Sequence, residues 1–221
     1  SSTAAEVWRR KGYSGPLAVI PQFGVDPDIF LPLGHDTAPD HVPHIAYAGR
    51  LVPEKGVDLL LEALAGLEGP WRATIQGNGP AEARLRALAE QHNLTARVTF
   101  CPPVPSMDMP AFYRDLDVLV LPSRTQENWA EQFGRVLVEA MACGVAVVGS
   151  AAGEIPHVIG DAGIVFPENN VGALRAALAR LIHEPALRQD LGTLGRARVL
   201  AQFTQQHVAQ QTIQVYQEML A

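Results

Sequence analysis

Short apolar runs alternate with amphipathic segments from residue 44 onward, and this alternation constrains the fold more than any other feature of the chain. A short apolar run is typical of a strand buried on both faces, whereas apolar residues spaced three and four apart are typical of a helix. Strands are predicted at 45–49, 71–76, 97–101, 118–121, 145–149 and 164–166. Helices are predicted at 57–67, 80–93, 109–113, 134–142, 171–183 and 186–201. The pattern therefore predicts an α/β fold: a doubly wound, Rossmann-like parallel sheet with helices on both faces.

The segments on either side of this pattern are irregular. Residues 1–43 begin with a predicted helix over 1–12 and a predicted buried strand, Leu17–Ile20, and end in a Pro-, Gly- and His-rich stretch. We interpret them as the tail of a preceding domain joined by a linker. Residues 44–203 form the predicted Rossmann-like domain. Residues 204–221 are predicted as a C-terminal helix that packs on another domain or on the N-terminal tail.

The composition excludes several classes of protein. Hydrophobic residues make up 48% of the 221 and charged residues 18%, which is typical of a globular protein. The net charge of −6 argues against nucleic acid as a partner and against polybasic membrane docking. No apolar run approaches the roughly 18 residues of a membrane span, and the N-terminus has no signal-peptide segment, so a cytoplasmic protein is expected. Cys101 and Cys143 lie in apolar segments and are predicted to be reduced core thiols.

Two cations follow the first predicted strand, in the segment Gly49–Gly56. Arg50 offers a planar fork of donors and Lys55 a point charge, and the glycines at either end let the backbone approach a ligand. These are the groups that a pyrophosphate requires. The alternative is a surface loop with scattered charge.

Two carboxylates stand eight residues apart in the segment 131–139. Glu131 precedes a predicted helix and Glu139 lies within it, while Gly134 sits near the helix start, where the unpaired N–H groups suit a phosphate or a sugar hydroxyl. A helical wheel turns Glu139 away from the apolar side, beside Arg135, and predicts a hydroxyl-binding carboxylate at the rim of a cleft. The alternative is a solvated helix glutamate.

Other motifs are weaker. Gly77-Asn78-Gly79-Pro80 resembles half of a dinucleotide fingerprint but lacks its third glycine, so a flavin or nicotinamide domain is disfavoured and a tight turn lining the pocket is predicted. His157 follows the fifth strand and is interpreted as structural, with a place in the cleft as the alternative. No metal is predicted. Asp-x-Asp pairs can hold a divalent metal, but the pair 26/28 lies in the linker and the pair 115/117 straddles a helix end and a strand start. The histidines 35/41/44 fit no zinc spacing.

Several motifs in order carry a family resemblance over nearly the whole chain. They are Gly24-Val25-Asp26, Gly49-Arg50-Leu51 with Lys55-Gly56, Gly77 to Pro80, Asp117 to Ser123, Glu131-x7-Glu139 running into Ala142-Cys143-Gly144, and Gly153 with Ile155-Pro156. The chain resembles the retaining, nucleotide-sugar-dependent glycosyltransferases of group 1, the glycogen-synthase-like enzymes of GT-B architecture. The resemblance implies that this chain is the C-terminal, donor-binding half, with only the last helix and strand (1–21) of the acceptor-binding N-terminal domain, and that it is inactive alone.

The resemblance also implies roles for individual residues. Arg50 and Lys55 would hold the donor diphosphate and offset its charge as it departs, with Glu131 as the third catalytic residue, on a hydroxyl of the donor sugar. Glu139 would bind the ribose. The other substrate-binding positions are Gly49, Gly77, the backbone of Phe133, Gly134, Arg135 and Val136, and, facing the base, Pro103 and Val104.

Two positions depart from the family pattern. Gln132 stands where glycine is usual, which bears on the choice of sugar. Cys101-Pro102-Pro103 stands where a glycine is common, which bears on the contact with the base.

These expectations together describe a transferase. It would move a sugar from a UDP-, GDP- or ADP-linked donor to a sugar, glycolipid or polysaccharide acceptor, with retention of configuration and without a metal or other cofactor. The full-length protein would be cytoplasmic, with peripheral attachment at the inner face of the membrane left open. Two rivals stay open: a nucleotide-sugar epimerase, for which only Glu131 and His157 are acid–base candidates, and a non-catalytic nucleotide-binding module.

Overall fold

A computed structural model describes residues 1–32 and 41–220, and its strands form one parallel sheet. The strands are β1 (His44–Ala48), β2 (Arg72–Gln76), β3 (Val98–Cys101), β4 (Val118–Leu121), β5 (Ala146–Ser150) and β6 (Ile164–Phe166). Their order is β3-β2-β1-β4-β5-β6. In the register, Ile45 of β1 lies beside Ala73 of β2 on one side and Val118 of β4 on the other. The predicted doubly wound sheet is confirmed, and the strands predicted from residue 44 onward all lie within a residue of their observed bounds.

The helices cover both faces of this sheet. They are α1 (Ser2–Arg10), α2 (Val57–Ala65), α3 (Glu82–Gln91), α4 (Met109–Arg114), α5 (Arg135–Ala142), α6 (Ile155–Ile159), α7 (Val171–His183), α8 (Pro185–Gln202) and α9 (Gln205–Leu220). Helix α2 packs against α3 and α7, whereas α5 packs against α4, α6 and α8. The strand order reverses between β1 and β4, so right-handed crossovers place these two groups on opposite faces. In the described residues, no helix combines the length and apolarity needed to cross a membrane.

The core explains why the strands could be read as continuous apolar runs. Every residue of β4 is buried, and so is every residue of β1 and β5. A parallel strand between two helical layers has no solvated face and therefore does not alternate in polarity. Helix α6 was not predicted, because its five residues are too few to show a helical period and Pro156 in its first turn looks like a turn residue.

The N-terminal segment differs from the prediction. Leu17–Ile20 forms no strand, and the side chain of Val19 is 44% exposed. An apolar run becomes a strand only beside a partner, and none lies next to it in the described ranges. The predicted linker falls largely on residues 33–40, which lie outside the described residues, as does His35. The domain boundaries at 43 and 203 stay predictions.

The C-terminal helix forms over almost the predicted range. Helix α9 contacts α8, and Thr204 just before it forms a parallel bridge with Val25. No residue of its described part is buried. The predicted packing of this helix, on another domain or on the N-terminal tail, stays a prediction, and Ala221 lies outside the described residues.

The two cysteines differ in burial. Both are free thiols, Cys143 buried and Cys101 only partly so. Burial raises the pKa of the Cys143 thiol to about 12. The prediction of a core thiol is therefore confirmed for Cys143, whereas Cys101 lies at the end of β3 with part of its surface in solvent.

Candidate functional site

The loops that follow β1, β2, β3 and β4 meet at one edge of the sheet, because the carboxyl ends of parallel strands lie together. β1 and β4 are neighbours at the point where the strand order reverses. In open α/β sheets, such a reversal opens a crevice in which ligands bind. The structure places all the predicted site residues on the segments that reach this edge: Gly49, Arg50, Lys55, Gly77, Pro103, Val104, Glu131, Gln132, Phe133, Gly134, Arg135, Val136 and Glu139.

An ion pair lies at the reversal point. The Lys55 ammonium donates to Oε2 of Glu131 at 2.5 Å, although the two residues are 76 positions apart. Their side chains are only 15% and 11% exposed. The hydroxyl of Ser123 donates to the same Oε2 at 2.9 Å. The indole ring of Trp129 lies 5.1 Å from the ammonium, within the range of a cation–π contact.

Arg50 lies on the same loop but has a different neighbour. Its side chain is 64% exposed and lies 3.7 Å from a carboxylate oxygen of Glu54. Its carbonyl oxygen accepts a hydrogen bond from the Tyr47 hydroxyl at 2.7 Å. Burial, and then the charge of Glu131, raises the pKa of Tyr47 far above its usual range, so this hydroxyl stays protonated and holds the loop. Arg50 and Lys55 lie on one loop, but each is paired with a different carboxylate, and their common role as a diphosphate site stays a prediction.

Arg124 fixes the short helical turn Pro53–Lys55 that ends at the cation. Its backbone N–H donates to the carbonyl of Glu54 at 2.8 Å. Its guanidinium donates to the carbonyl of Pro53 and, through two nitrogens, to both carboxylate oxygens of Asp58 at 2.8 and 3.1 Å. Such a forked contact restrains direction as well as distance. The backbone that carries Lys55 is therefore tied to β4 and α2.

The glycine-rich segment after β2 is a tight turn. A Cβ atom at Gly77 would lie 1.9 Å from the carbonyl oxygen of Gly49, so only glycine fits where the two loops meet. Next to it, the N–H of Leu51 donates to the carbonyl of Asn78 at 2.7 Å. The predicted tight turn is therefore confirmed, and its place in the wall of a ligand pocket stays a prediction.

Helix α5 presents its N-terminus to the crevice. Gly134 precedes it with φ of 76°, and no side chain in the described part of the protein caps this end. The N–H groups of a first turn have no intrahelical acceptor. The ring of Phe133 is buried against Phe23 and Phe203, so this residue offers only backbone to a ligand. Gln132 is exposed beside it.

Glu139 is not at the rim of the cleft. It is 3% exposed, so both the rim prediction and the alternative of a solvated glutamate are wrong. Its Oε2 accepts from the Tyr113 hydroxyl at 2.7 Å, and its Oε1 accepts from Nε of Arg135 at 2.6 Å. The side chain of Arg135 is 52% exposed, whereas that of Glu139 is 4% exposed. A ligand therefore reaches the Glu139 carboxylate only if side chains around it move.

The predicted base contact lies farther along the same edge. Pro103 is exposed and Val104 is half-buried, just after β3. The side-chain amide of Gln76, the last residue of β2, donates to the carbonyl of Pro102. This contact holds the proline segment against the neighbouring strand.

A second cleft, of about 570 Å³, adjoins Glu131 on the side of α6. Gln132, Phe133, Glu154 and His157 contribute to its wall. The side chain of His157 is 60% exposed and lines this cleft, as the alternative has it, while its carbonyl accepts a hydrogen bond from Arg198 at 2.7 Å; the role of His157 stays a prediction. Burial raises the pKa of Glu154, but hydrogen bonds from the N–H and hydroxyl of Thr3 and the N–H of Ser2, with the nearby His157, outweigh it, so the net pKa is lowered.

The pairs considered as metal ligands have other partners. His41 contacts both oxygens of Asp117, and Nδ1 of His44 lies 2.9 Å from Asp115 Oδ2. Asp28 donates its N–H to the Asp26 carboxylate in a local turn. Over residues 1–32 and 41–220, no three His, Cys, Asp or Glu side chains are grouped in a way that could hold a metal ion.

Sequence reasoning missed four residues that shape the site: Tyr113, Ser123, Arg124 and Trp129. Ser123 carried a usable signal, because it is a polar residue within two positions of the end of β4. The others lie in segments whose position is set by tertiary packing, and nothing in their spacing pointed to Lys55 or Glu139.

The comparisons with known proteins identify the family. The model of the glycosyl transferases group 1 family matches residues 36–198, which is well over half of the chain. The chain belongs to this family. It is 34% identical over 200 residues to D-inositol 3-phosphate glycosyltransferase of Mycobacterium tuberculosis, covering 84% of the chain and 39% of the relative, and 34% identical over 178 residues to its Mycolicibacterium smegmatis counterpart. The chain thus spans about two fifths of the length of these relatives.

Solved structures share the fold. Sucrose-phosphate synthase from Thermosynechococcus elongatus is 29% identical, with a TM-score of 0.85 over the whole chain and 57% of that enzyme. The C-terminal domain of the group 1 glycosyl transferase LpcC from Francisella tularensis is 25% identical, with a TM-score of 0.70 over 82% of the chain and all of that domain. Anabaena Alr3699/HepE, solved with UDP and glucose, is 20% identical over 99% of this chain and 61% of its own, with a TM-score of 0.81. The sheet is that of the C-terminal half of a GT-B glycosyltransferase.

Proposed function

We propose that this chain is the donor-binding half of an enzyme that transfers a sugar from a nucleoside-diphosphate sugar to an acceptor with retention of configuration. The observation that carries the proposal is the Lys55–Glu131 pair at the reversal point of the sheet, beside the uncapped N-terminus of α5. It places a cation for phosphate and a carboxylate for sugar hydroxyls within one crevice. The family, and the UDP and UDP-glucose bound by Alr3699/HepE, support this choice of ligand.

The charges of the crevice suit a diphosphate. Lys55, Arg50 from its exposed position, and the positive end of the α5 dipole supply the positive charge. In this proposal these groups stabilise the leaving diphosphate, and the transfer uses no metal ion or other cofactor.

The remaining contacts follow from position. Glu131 accepts a hydrogen bond from a donor-sugar hydroxyl, and Gln132 lies next to it, where it bears on the choice of sugar. Glu139 binds the ribose once the side chains around it have moved. Pro103 and Val104 face the base. The acceptor, the pathway and the cytoplasmic location stay predictions.

Titration calorimetry of the chain with UDP, GDP, ADP and their glucose esters tests the proposal. Lys55→Ala should raise the Kd of the bound nucleotide about 10- to 100-fold, because it removes a charge-assisted contact of about 1.5–3 kcal/mol. Lys11→Ala is the matched control, since Lys11 is exposed and is the only other lysine in the sequence. No binding of any of the six compounds at millimolar concentration, or an unchanged Kd in Lys55→Ala, would refute the donor site.

A further inference from the structure

The two oxygens of Glu131 are used unequally. Lys55 and Ser123 both donate to Oε2, and Oε1 accepts no hydrogen bond from any residue that the structure describes. The carboxylate therefore holds the Lys55 ammonium through one oxygen and keeps the other for a further donor. A sugar hydroxyl is such a donor, and a phosphate oxygen is not.

The charge of Lys55 is already compensated before any ligand arrives. A diphosphate that approaches the ammonium meets the Glu131 carboxylate 2.5 Å from it, and both side chains are largely withdrawn from water. Charges in such surroundings are screened much less than at the surface. The diphosphate must either displace the carboxylate from Lys55 or tolerate a negative charge beside it.

We propose that Glu131 competes with the donor diphosphate for Lys55, so that the site favours the nucleotide sugar over the free nucleoside diphosphate. With the whole donor bound, the diphosphate takes Lys55 and the sugar hydroxyl gives Glu131 a new hydrogen bond. After transfer the sugar is gone, and the carboxylate returns to Lys55 and expels the nucleoside diphosphate. The Trp129 ring lies 5.1 Å from the ammonium and is a third neighbour of it beside Glu131. This inference rests on the proposed function and adds a release step to it.

A merely structural Glu131 would have the opposite effect. If the carboxylate only oriented Lys55 toward the phosphates, its neutralisation would loosen the ammonium and weaken nucleotide binding. If it competes, neutralisation frees the ammonium and strengthens the binding of the nucleoside diphosphate. The sign of the change in Kd separates the two roles.

The test compares wild type with Glu131→Gln by calorimetry, using UDP, GDP, ADP and their glucose esters. Glutamine keeps the size of the side chain and removes its charge. For the nucleotide that the wild type binds, we expect the Kd of the nucleoside diphosphate to fall at least about fivefold. This is the lower end of the change in affinity that one binding partner typically causes for another. The preference for the sugar ester should shrink. In a Lys55→Ala background, the same substitution should change the diphosphate Kd less, since the contested cation is gone.

Two further measurements keep the test decisive if Glu131→Gln folds poorly. Glu131→Asp withdraws the charge by one methylene and should lower the diphosphate Kd in the same direction. In the wild type, lysine-selective ¹³C NMR gives one Cε signal each for Lys55 and Lys11. Addition of the nucleoside diphosphate should move the Lys55 signal toward its position in a Glu131 variant and leave Lys11 unchanged.

The outcomes are distinguishable. A diphosphate Kd that is unchanged or higher in both Glu131 variants overturns the competition but leaves the donor site standing. Failure of the wild type to bind any of the nucleotides overturns the proposed function and this inference with it.

Discussion

Replacement of Tyr113 by phenylalanine removes a hydrogen-bond donor to a buried carboxylate and leaves the packing of the ring almost unchanged. The Tyr113 hydroxyl is fully buried and donates to Glu139 at 2.7 Å. Burial, and then the charge of Glu139, raises the pKa of Tyr113 well above its usual range, so the hydroxyl is protonated at neutral pH. In the variant, the Glu139 carboxylate keeps one hydrogen bond among the residues that the structure describes, the one from the half-exposed Arg135.

The magnitude follows from the type of contact. A hydrogen bond to a charged group contributes about 1.5–3 kcal/mol, and a buried acceptor left without a partner loses all of it. We therefore expect Tyr113→Phe to lower the free energy of unfolding by about 2 kcal/mol. For a chain of this size each kcal/mol shifts Tm by about 2–4 °C.

Urea unfolding followed by tryptophan fluorescence measures this change, and the slope m should be the same in both proteins. Tyr216→Phe is the matched control, because the ring of Tyr216 on α9 is 62% exposed and its hydroxyl should contribute almost nothing. A loss below about 0.5 kcal/mol in Tyr113→Phe, typical of a surface substitution, would refute the reasoning that Tyr113 satisfies Glu139.

Two further predictions concern a loop and a buried histidine. Arg124→Ala should raise the Kd for nucleoside diphosphate in calorimetry several-fold, because it frees the turn that ends at Lys55 and leaves Asp58 without its forked partner. Burial lowers the pKa of His44, with Asp115 opposing and Arg72 reinforcing the shift. His44 therefore takes up a proton near pH 6.5 in the unfolded chain but only at lower pH in the folded protein. The free energy of unfolding keeps its full value above that pH and falls by up to about 1.4 kcal/mol per pH unit below it.

The controls for these two predictions come from the same protein. Arg175→Ala removes contacts of another arginine with backbone carbonyls at the far end of α2, and it should leave nucleotide binding unchanged. His44→Asn should flatten the loss of stability between pH 7.5 and 5.5, measured by urea unfolding. A loss as steep as in wild type would show that another group carries the pH dependence.

The strands could be predicted because burial on both faces of the sheet requires each strand to be a continuous apolar run. Residues Val118–Leu121 are all apolar since β4 is buried on both faces. The same argument explains the failure at Leu17–Ile20, where an apolar run has no adjacent strand in the described part of the chain. Composition records that a segment can be buried, and only the neighbours decide whether it is.

The location of the site at one edge of the sheet could be predicted from the sequence, whereas the contacts between its side chains could not. Parallel topology alone brings Lys55 and Glu131 to the same side of the sheet. Their pairing at 2.5 Å depends on how the loop after β4 folds back, which a spacing of 76 residues does not reveal. The prediction of an exposed Glu139 failed for a related reason. A helical wheel gives the direction of a side chain, but it cannot show that Tyr113 on α4 contacts that side chain.

The contact between Thr3 and Glu154 gives the N-terminal helix a mechanical connection to the crevice. The Glu154 carboxylate accepts hydrogen bonds from the N–H and the hydroxyl of Thr3. The backbone N–H of Glu154 donates to the carbonyl of Glu131 at 2.9 Å. A Cβ atom at the neighbouring Gly153 would lie 2.1 Å from that carbonyl oxygen, so the two backbone segments pack too closely for any side chain at this position. Hydrogen bonds of one residue, Glu154, therefore connect α1 to the main chain of Glu131, whose side chain is the partner of Lys55.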